Sequence, residues 1–354
     1  MSTVSDVAQR FKESDLASVL EENSSAALVL PGLLLWSMFM LLPMMYIFVL
    51  SLTNARPANI FVGNNRLLGL VPLGEADIIG LENYIELLFS IDAANSIQNG
   101  AYGAVFDLFL SDPIAVFNYP FWNSFLVTWA FVIVSVTGKV LLGIAIAMIM
   151  TGNRVRGKRY LRGIIIMPMG VPVIFSILIW RFVFSNARFG LMNQFLIGIG
   201  AVDEAVPWLT DRWLAFSGYV VTEMWLAYPF MVLITVSALQ NVNGDLLDAA
   251  EVDGAGFFSR MRHVILPSIK RPVMFGTILT SAASFQQFLI PWVFNSGGPS
   301  RENELLLVYA YREAFAFSAY GKGAAISLTA LFFIGMFMWV AVKRGNLAEE
   351  AGES

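Results

Sequence analysis

Six long apolar runs, separated by polar segments, dominate the chain. They cover residues 26–52, 121–150, 163–180, 213–239, 273–294 and 323–342, and the third continues to residue 184 if Arg181 is included. A helix of about 20 apolar residues crosses the hydrocarbon core of a bilayer, and backbone groups in lipid must be hydrogen-bonded within their own segment. The pattern therefore predicts an all-α integral membrane protein with six transmembrane helices.

The polar segments between the runs give the predicted organisation. The segment after the first run is rich in Asn, Gly and Pro, and its weak apolar stretch at 101–117 is interrupted by Asp107 and Asp112, so we interpret it as an extracytoplasmic subdomain. The stretch at 190–202 is too short to cross and is predicted to be a surface helix. The predicted divisions are a cytoplasmic N-terminal segment at 1–25, a first helix at 26–52, an extracytoplasmic loop at 53–120, a five-helix core at 121–342 and a cytoplasmic tail at 343–354.

Basic residues set the predicted orientation. They are concentrated in the segments that lie on the same side as the N-terminus, above all between Arg154 and Arg162. Short loops rich in Lys and Arg stay on the cytoplasmic side of a membrane. Both termini and the loop at 244–264 are therefore predicted to be cytoplasmic in a multi-pass protein of the cell membrane.

Composition excludes several kinds of chemistry. The chain is 57% hydrophobic and 14% charged, whereas soluble domains average about 25% charged residues. It has no cysteine and a single histidine, His263, which leaves no thiolate chemistry and no histidine-based metal site or triad. The net charge of −4 argues against a nucleic-acid partner. The phosphate-binding motif of ATPases is missing, so we expect no ATP hydrolysis on this chain. The lack of cysteine, the single histidine and the absence of clustered carboxylates inside the runs disfavour an integral-membrane enzyme, and we expect no cofactor.

The polar, charged segment between the fourth and fifth apolar runs is the most informative part of the sequence. An amphipathic turn of helix is predicted to begin at Gly244, and small residues around Gly254 break it because glycine can adopt a positive φ. A second short helix is predicted at 257–264, ending at Leu266-Pro267. An ordinary amphipathic loop would show the same periodicity, but we favour a docking surface for an aqueous partner. The predicted docking residues are Leu246, Leu247, Asp248, Ala249, Ala250, Asp253, Gly254, Ala255, Leu266 and Pro267.

The order Asp248-Ala249-Ala250, Asp253-Gly254-Ala255 and Leu266-Pro267 resembles the "EAA" loop of importer permeases of the ATP-binding-cassette (ABC) superfamily. Further elements resemble sugar permeases of the maltose and glycerol-phosphate type. They are Gly80-Leu81-Glu82-Asn83-Tyr84, Phe121-Trp122-Asn123-Ser124, Gly190-Leu191-Met192-Asn193, Trp208-Leu209, Gly297-Gly298-Pro299, Tyr311-Arg312-Glu313-Ala314-Phe315 and Tyr320-Gly321. The sequence departs from the family pattern in two places. It has an aspartate at position 248, where the family usually has glutamate, and a segment near 90–112 that looks inserted.

The resemblance implies a fold, a function and a set of partners. The fold would be the MetI-like type-1 permease fold, in which a helix–turn–helix in the cytoplasmic loop couples to the ATPase. The function would be one half of a translocation path for a sugar, oligosaccharide or polyol derivative. The implied partners are a second homologous permease subunit, an ABC ATPase dimer and an extracytoplasmic substrate-binding protein.

Four polar side chains inside the runs are candidates for a translocation path: Lys139, Glu223, Gln286 and Gln287. Ionisable groups in membranes usually face a cavity or each other. Helical rise separates Lys139 and Glu223 by roughly 9 Å along the bilayer normal, a gap that a lysine stem can narrow. A structural ion pair and a polar path both stay open, and ordinary interhelical hydrogen bonds are expected for at least one glutamine. The alternative function is a secondary transporter driven by an ion gradient through Lys139 and Glu223.

Overall fold

A computed structural model describes residues 24–63, 65–67, 71–88, 110, 119–152 and 157–344. Several predictions fall outside these residues. They concern most of the N-terminal segment, the apolar stretch at 101–117, nearly all of the segment at 90–112, Arg154 with Arg156, and the tail from 345.

The described part of the chain is mainly helical. A short antiparallel pair, β1 Asn65–Leu67 and β2 Val71–Gly74, lies in the segment between the first two predicted spans, where residues 82–88 are also helical. Three π-helical segments interrupt the helices at Ser37–Leu41, Met261–Ile265 and Arg312–Ala316. The α-helices are α1 Ser24–Trp36, α2 Leu42–Ser51, α3 Pro57–Ile60, α4 Pro120–Thr151, α5 Lys158–Gly170, α6 Val173–Val183, α7 Leu191–Gly198, α8 Arg212–Gln240, α9 Gly244–Val252, α10 Phe257–Arg260, α11 Leu266–Phe285, α12 Leu289–Asn295, α13 Leu306–Tyr311 and α14 Tyr320–Arg344.

Four helices within the described residues are each long and apolar enough to cross a membrane. They are Val29–Ser51, Pro120–Thr151, Arg212–Gln240 and Tyr320–Arg344. Two bent helix pairs, α5 with α6 and the helix ending at Phe285 with α12, raise the number of spans to as many as six. The prediction of a helical membrane protein with six apolar runs is thus confirmed, and α7 is the short surface helix expected at 190–202.

The third run was predicted as one helix in which prolines produce kinks, and the structure shows a complete break instead. The run forms α5 and α6, which meet at 94°. Val171 is extended, with ψ at 130°, and Pro172 is the N-cap of α6. A residue that precedes proline is disfavoured in the α conformation, so the chain leaves the helix at this point and starts a new one.

The prediction that the second loop helix ends at Leu266-Pro267 is also wrong. The helical path continues from Phe257 to Phe285 without a break. A π turn at Met261–Ile265 comes directly before Pro267, and the Leu266 N–H donates to the Met261 carbonyl across this wider turn. The wider turn makes room for the proline ring, which in a regular helix clashes with the carbonyl four residues earlier.

The core of the bundle lies between α4 and α8. These helices approach closely at Gly143, where a Cβ would lie 2.6 Å from the Cβ of Met231. Small residues permit such close backbone approach between membrane helices. α11 packs against both helices, α14 packs against α2, and a buried cluster that includes Phe131, Tyr219 and Phe294 fills the half of the bundle near the start of α4 and α8. The α4–α8–α11 contact therefore forms the frame in which the polar side chains sit.

Buried asparagines hold two of the loops between the long helices in place. Asn193 is fully buried, and its Oδ1 accepts hydrogen bonds from the Val206 N–H at 3.0 Å and the Trp208 indole at 3.0 Å. Asn83 donates to the Ser51 and Thr53 carbonyls, both at 2.9 Å. These asparagines belong to the short motifs on which the family resemblance rests, so the motifs have a structural role in closing loops.

Candidate functional site

Three polar side chains from three helices meet in the bundle core. Lys139 comes from α4, Glu223 from α8 and Ser284 from the last turn of α11. Lys139 is fully buried and Glu223 is 5% exposed. We call these residues together with Gln287 the buried polar cluster.

The hydrogen bonds of this cluster leave little polar capacity unused. The Lys139 Nζ donates to Glu223 Oε1 at 3.0 Å and to Ser284 Oγ at 2.6 Å. The Ser284 hydroxyl lies 3.0 Å from Glu223 Oε1 and 2.9 Å from the Thr280 carbonyl, either of which can accept its proton. Gln287 Nε2 donates to Glu223 Oε2 at 2.7 Å. The cluster is therefore a satisfied ion pair that links α4, α8 and the end of α11.

Three of the four residues predicted to line a translocation path lie together in the structure, and the fourth does not. The structure brings Lys139, Glu223 and Gln287 together and leaves Gln286 exposed at the C-cap of α11, away from the cluster. Ser284 was not predicted, although it precedes Gln287 by three residues and so lies on the same side of the helix end. Gln287 is half-buried and follows the break between α11 and α12, so the chain presents a polar side chain at the rim of the cluster.

The loop between α8 and α11 forms a helical hairpin. Asn243 caps α9 by accepting a hydrogen bond from the Asp245 N–H at 2.9 Å. α9 ends at Val252, and Gly254 follows its C-cap with a φ of +72°, in the left-handed region that glycine adopts without strain. An ion pair of 3.2 Å between Arg260 and Glu251 joins the two arms. The predicted helix–break–helix is confirmed, while its assignment as a docking surface stays a prediction.

Large apolar side chains on this hairpin face outward. Val252 is 88% exposed, Phe258 is 85% exposed, and Leu246 and Phe257 are each more than half exposed. Apolar side chains grouped on an otherwise polar loop are typical of an interaction surface. Sequence reasoning selected Leu246 and missed Val252, Phe257 and Phe258, although all three flank the glycine-rich break.

An ionic cluster on the loop between α12 and α14 was also missed. Glu304 is 1% exposed and accepts hydrogen bonds from Arg301 at 2.8 Å and Arg312 at 2.5 Å. Lys322 extends the cluster toward Glu86 at 3.0 Å. The glycine-rich motif before it is explained by packing, because a Cβ at Gly297 would lie 3.0 Å from the Glu304 Cα.

Burial raises the pKa of Tyr309 beside this ionic cluster, and the neighbouring Glu313 carboxylate raises it further. The phenol therefore stays neutral over the physiological pH range. The Arg301 guanidinium lies 5.5 Å from the centre of its ring, within the range of a cation–π contact. The loop is thus held by charge pairs and by ring contacts together.

No group of three or more His, Asp or Glu side chains that could hold a metal ion occurs among the described residues. The arrangement of polar groups can hold helices together and can offer hydrogen bonds to a polar solute at its rim.

Comparison with known proteins places these features in a family. A model of the family described as the binding-protein-dependent transport system inner membrane component matches residues 139–344, which is more than half of the chain. The chain belongs to this family. The matched region begins at Lys139 in α4 and contains the rest of the buried polar cluster and the whole loop hairpin.

Curated relatives include several sugar permeases. The trehalose/maltose transport system permease protein MalF of Thermococcus litoralis is 28% identical over 323 residues, which are 91% of this chain and 94% of that protein. The galactooligosaccharides transport system permease protein GanP of Bacillus subtilis is 30% identical over 248 residues, 67% of this chain and 59% of GanP. The maltose/maltodextrin permease protein MalF of Escherichia coli is 30% identical over 235 residues and is matched over 45% of its length. The chain therefore spans only about half of some longer relatives.

Solved structures share the fold. A bacterial ABC transporter for import of the acidic polysaccharide alginate has a chain that superposes with a TM-score of 0.67 at 15% identity, over 95% of this chain and 99% of that one. The same kind of transporter in complex with an alginate pentasaccharide-bound periplasmic protein gives a TM-score of 0.68. These similarities confirm the permease fold that the sequence motifs predicted.

Proposed function

We propose that the chain is the permease subunit of an ABC importer and forms half of the path for a sugar or oligosaccharide. Membership of the binding-protein-dependent family carries this proposal. The sugar class is supported by relatives named for trehalose, maltose and galactooligosaccharides and by the alginate transporters that share the fold. The family match also argues against the alternative of an ion-gradient-driven transporter, since its members work with a binding protein.

In this proposal the loop hairpin docks on an ABC ATPase dimer. The exposed apolar side chains around Val252 and Phe258 would fill a pocket on that partner. Because the helical path from Phe257 reaches Phe285 without a break, it leads from the docking surface to the buried polar cluster. At about 1.5 Å per residue this path is roughly 42 Å long, so movement of the hairpin would displace Ser284 directly.

We propose that the buried polar cluster lies beside the translocation path and changes its hydrogen bonds during transport. Lys139 is fully buried, so a solute cannot reach it in this conformation. Gln287 is half-buried and bonded to Glu223, so it can exchange that hydrogen bond for one to a sugar hydroxyl. A second, homologous permease would complete the path, and an extracytoplasmic binding protein would deliver the solute.

A reconstituted uptake assay tests this function. The chain is co-expressed with a candidate second permease and a candidate ABC ATPase from the same genome, and proteoliposomes are loaded with ATP. We expect uptake of a labelled member of a panel of maltose, trehalose, galactooligosaccharide and alginate oligosaccharide, and only when the binding protein is added. Uptake that follows an imposed proton or sodium gradient without ATP would contradict the proposal.

The orientation is part of the proposal. Single cysteines can be introduced cleanly because the native chain has none. A cysteine at Arg159 should resist an impermeant maleimide added to intact cells, whereas one at Glu204 should react. Labelling at 159 and protection at 204 would show that the loop hairpin lies on the opposite side.

A further inference from the structure

A groove with an unusual distribution of charge runs beside the base of the loop hairpin. Its volume is about 600 Å³, and it lies between α4 and the helix that leaves the hairpin. Ile144 of α4 forms one wall. Leu266, Met274 and Thr277 line the apolar length of the groove, and Arg262 and Lys270 supply its cations.

Apart from Ile144, the lining residues all come from the helical path that leaves the hairpin. Arg262, Leu266 and Lys270 are spaced four residues apart, and Thr277 follows two turns later. At about 1.5 Å per residue, the groove extends roughly 22 Å from Arg262 to Thr277. The two cations therefore occupy the end near the hairpin, while the part that enters the membrane is apolar and has the buried Ile269 as its floor.

The two cations are exposed and available to a ligand. Among the described residues, neither Arg262 nor Lys270 forms a hydrogen bond or an ion pair with a protein group. The nearest arginine of the hairpin, Arg260, is by contrast paired with Glu251. A groove with two free cations at its mouth and apolar walls is complementary to a molecule with an anionic head and a hydrocarbon tail.

We propose that this groove binds one anionic phospholipid of the cytoplasmic leaflet, with the phosphate between Arg262 and Lys270 and an acyl chain along Leu266 and Met274. Basic pockets between transmembrane helices at the cytoplasmic side are typical sites for acidic headgroups. The inference rests on the proposed orientation of the loop. It adds a partner to the proposed function, because the lipid would brace the helix that connects the hairpin to the buried polar cluster.

The charge pattern favours a lipid over two other occupants. An apolar helix of the second permease would cover the walls but would leave two cations without a counter-charge. A soluble ATPase could offer carboxylates to Arg262, but it could not follow the groove toward Thr277 inside the membrane. Only an amphiphile matches both ends of the groove.

Photo-crosslinking in the assembled transporter tests the lipid site. The complex of this chain, the second permease and the ATPase is placed in nanodiscs of phosphatidylcholine with a minority of phosphatidylglycerol. A benzophenone amino acid at Met274 then captures whatever lies in the groove, and mass spectrometry identifies it. We expect phosphatidylglycerol in several-fold excess over its share of the bilayer. Since each basic residue near an anionic lipid gives about a fivefold preference, Arg262→Gln and Lys270→Gln should each lower that excess by about that factor.

Two controls separate the site from bulk charge. Lys270→Arg keeps the charge and should keep the enrichment, and Lys343→Gln removes a basic residue at the inner end of α14, outside the groove, and should leave the enrichment unchanged. Both substituted residues in the groove are exposed, so the variants should fold normally, and co-purification of the ATPase with each variant verifies assembly.

Capture of the ATPase or the second permease at Met274 would overturn the proposal. Phosphatidylglycerol at its bulk share, or an excess unaffected by Arg262→Gln with Lys270→Gln, would also overturn it. The crosslink needs no transport, and maleimide labelling at 159 reports the orientation separately. Failure of the lipid site is therefore distinguishable from failure of the proposed function.

Discussion

Replacing Glu223 by glutamine would leave the Lys139 ammonium in the packed core without its charged partner. Among the described residues, Glu223 is the one acidic side chain within salt-bridge distance of Lys139. The amide oxygen of a glutamine at this position can still accept hydrogen bonds from Ser284 and Lys139, so the perturbation is electrostatic and hardly changes the volume.

The burial of the pair sets the size of the effect. Lys139 is fully buried and Glu223 is 5% exposed, so water can do little to replace the lost charge. Breaking such a pair costs about 3–5 kcal/mol, whereas removing both charges is often nearly neutral. We therefore expect Glu223→Gln and Lys139→Met each to destabilise the fold by about 3–5 kcal/mol, and the double variant to recover most of that loss.

The assay is unfolding of the purified complex in mixed detergent and sodium dodecyl sulfate, followed by tryptophan fluorescence. Gln286→Ala is the matched control, because Gln286 is exposed and lies outside the cluster, and it should change stability by less than about 0.5 kcal/mol. A double variant whose loss equals the sum of the single losses would refute direct coupling of the two charges.

Three further substitutions test the packing, the hairpin and the outer loop. Gly143→Leu should lower the free energy of unfolding by about 1–3 kcal/mol, because α8 leaves no room for a side chain. Gly163→Leu, with no neighbour near its Cβ, should be tolerated. The Gly254→Leu variant should insert into the membrane normally but should no longer bind the ATPase subunit in pull-down assays. A positive φ costs a non-glycine residue about 1–2 kcal/mol, and the new side chain enters the docking surface. Normal uptake by this variant would count against docking. Glu304→Gln should lower the melting temperature, because Arg301 and Arg312 each lose a charged partner. Glu302→Gln, outside the ion pairs, should leave the melting temperature unchanged, and equal melting temperatures of the two variants would show that the ionic cluster contributes nothing.

Much of the fold follows from local sequence. Runs of apolar residues long enough to cross a bilayer predict α4, α8 and α14 to within a few residues, because composition alone decides whether a helix enters lipid. The hairpin was also predictable, since amphipathic spacing and a glycine with positive φ are local properties. The asparagines of the caps and motifs could be identified in the sequence, but their hydrogen-bond partners could not be predicted from it.

Features that depend on distant or non-standard contacts escaped prediction. The helix breaks at Pro172 but continues through Pro267, because a π turn precedes only the second of these two prolines. Lys139 and Glu223 are 84 residues apart, and helical rise alone placed them roughly 9 Å apart, whereas the packed helices bring them to 3.0 Å. Such registers are set by tertiary packing.

The docking role of the hairpin is the central claim, and crosslinking tests it most directly. A single cysteine at Phe258, the aromatic side chain of the hairpin that is 85% exposed, is placed in the assembled complex and treated with a short bifunctional thiol reagent. We expect a crosslink from this cysteine to one in the ATPase subunit, with a yield that changes when ATP is added. A cysteine at 258 that stays freely reactive to maleimide in the assembled, transporting complex, without any crosslink to the ATPase, would contradict the docking role.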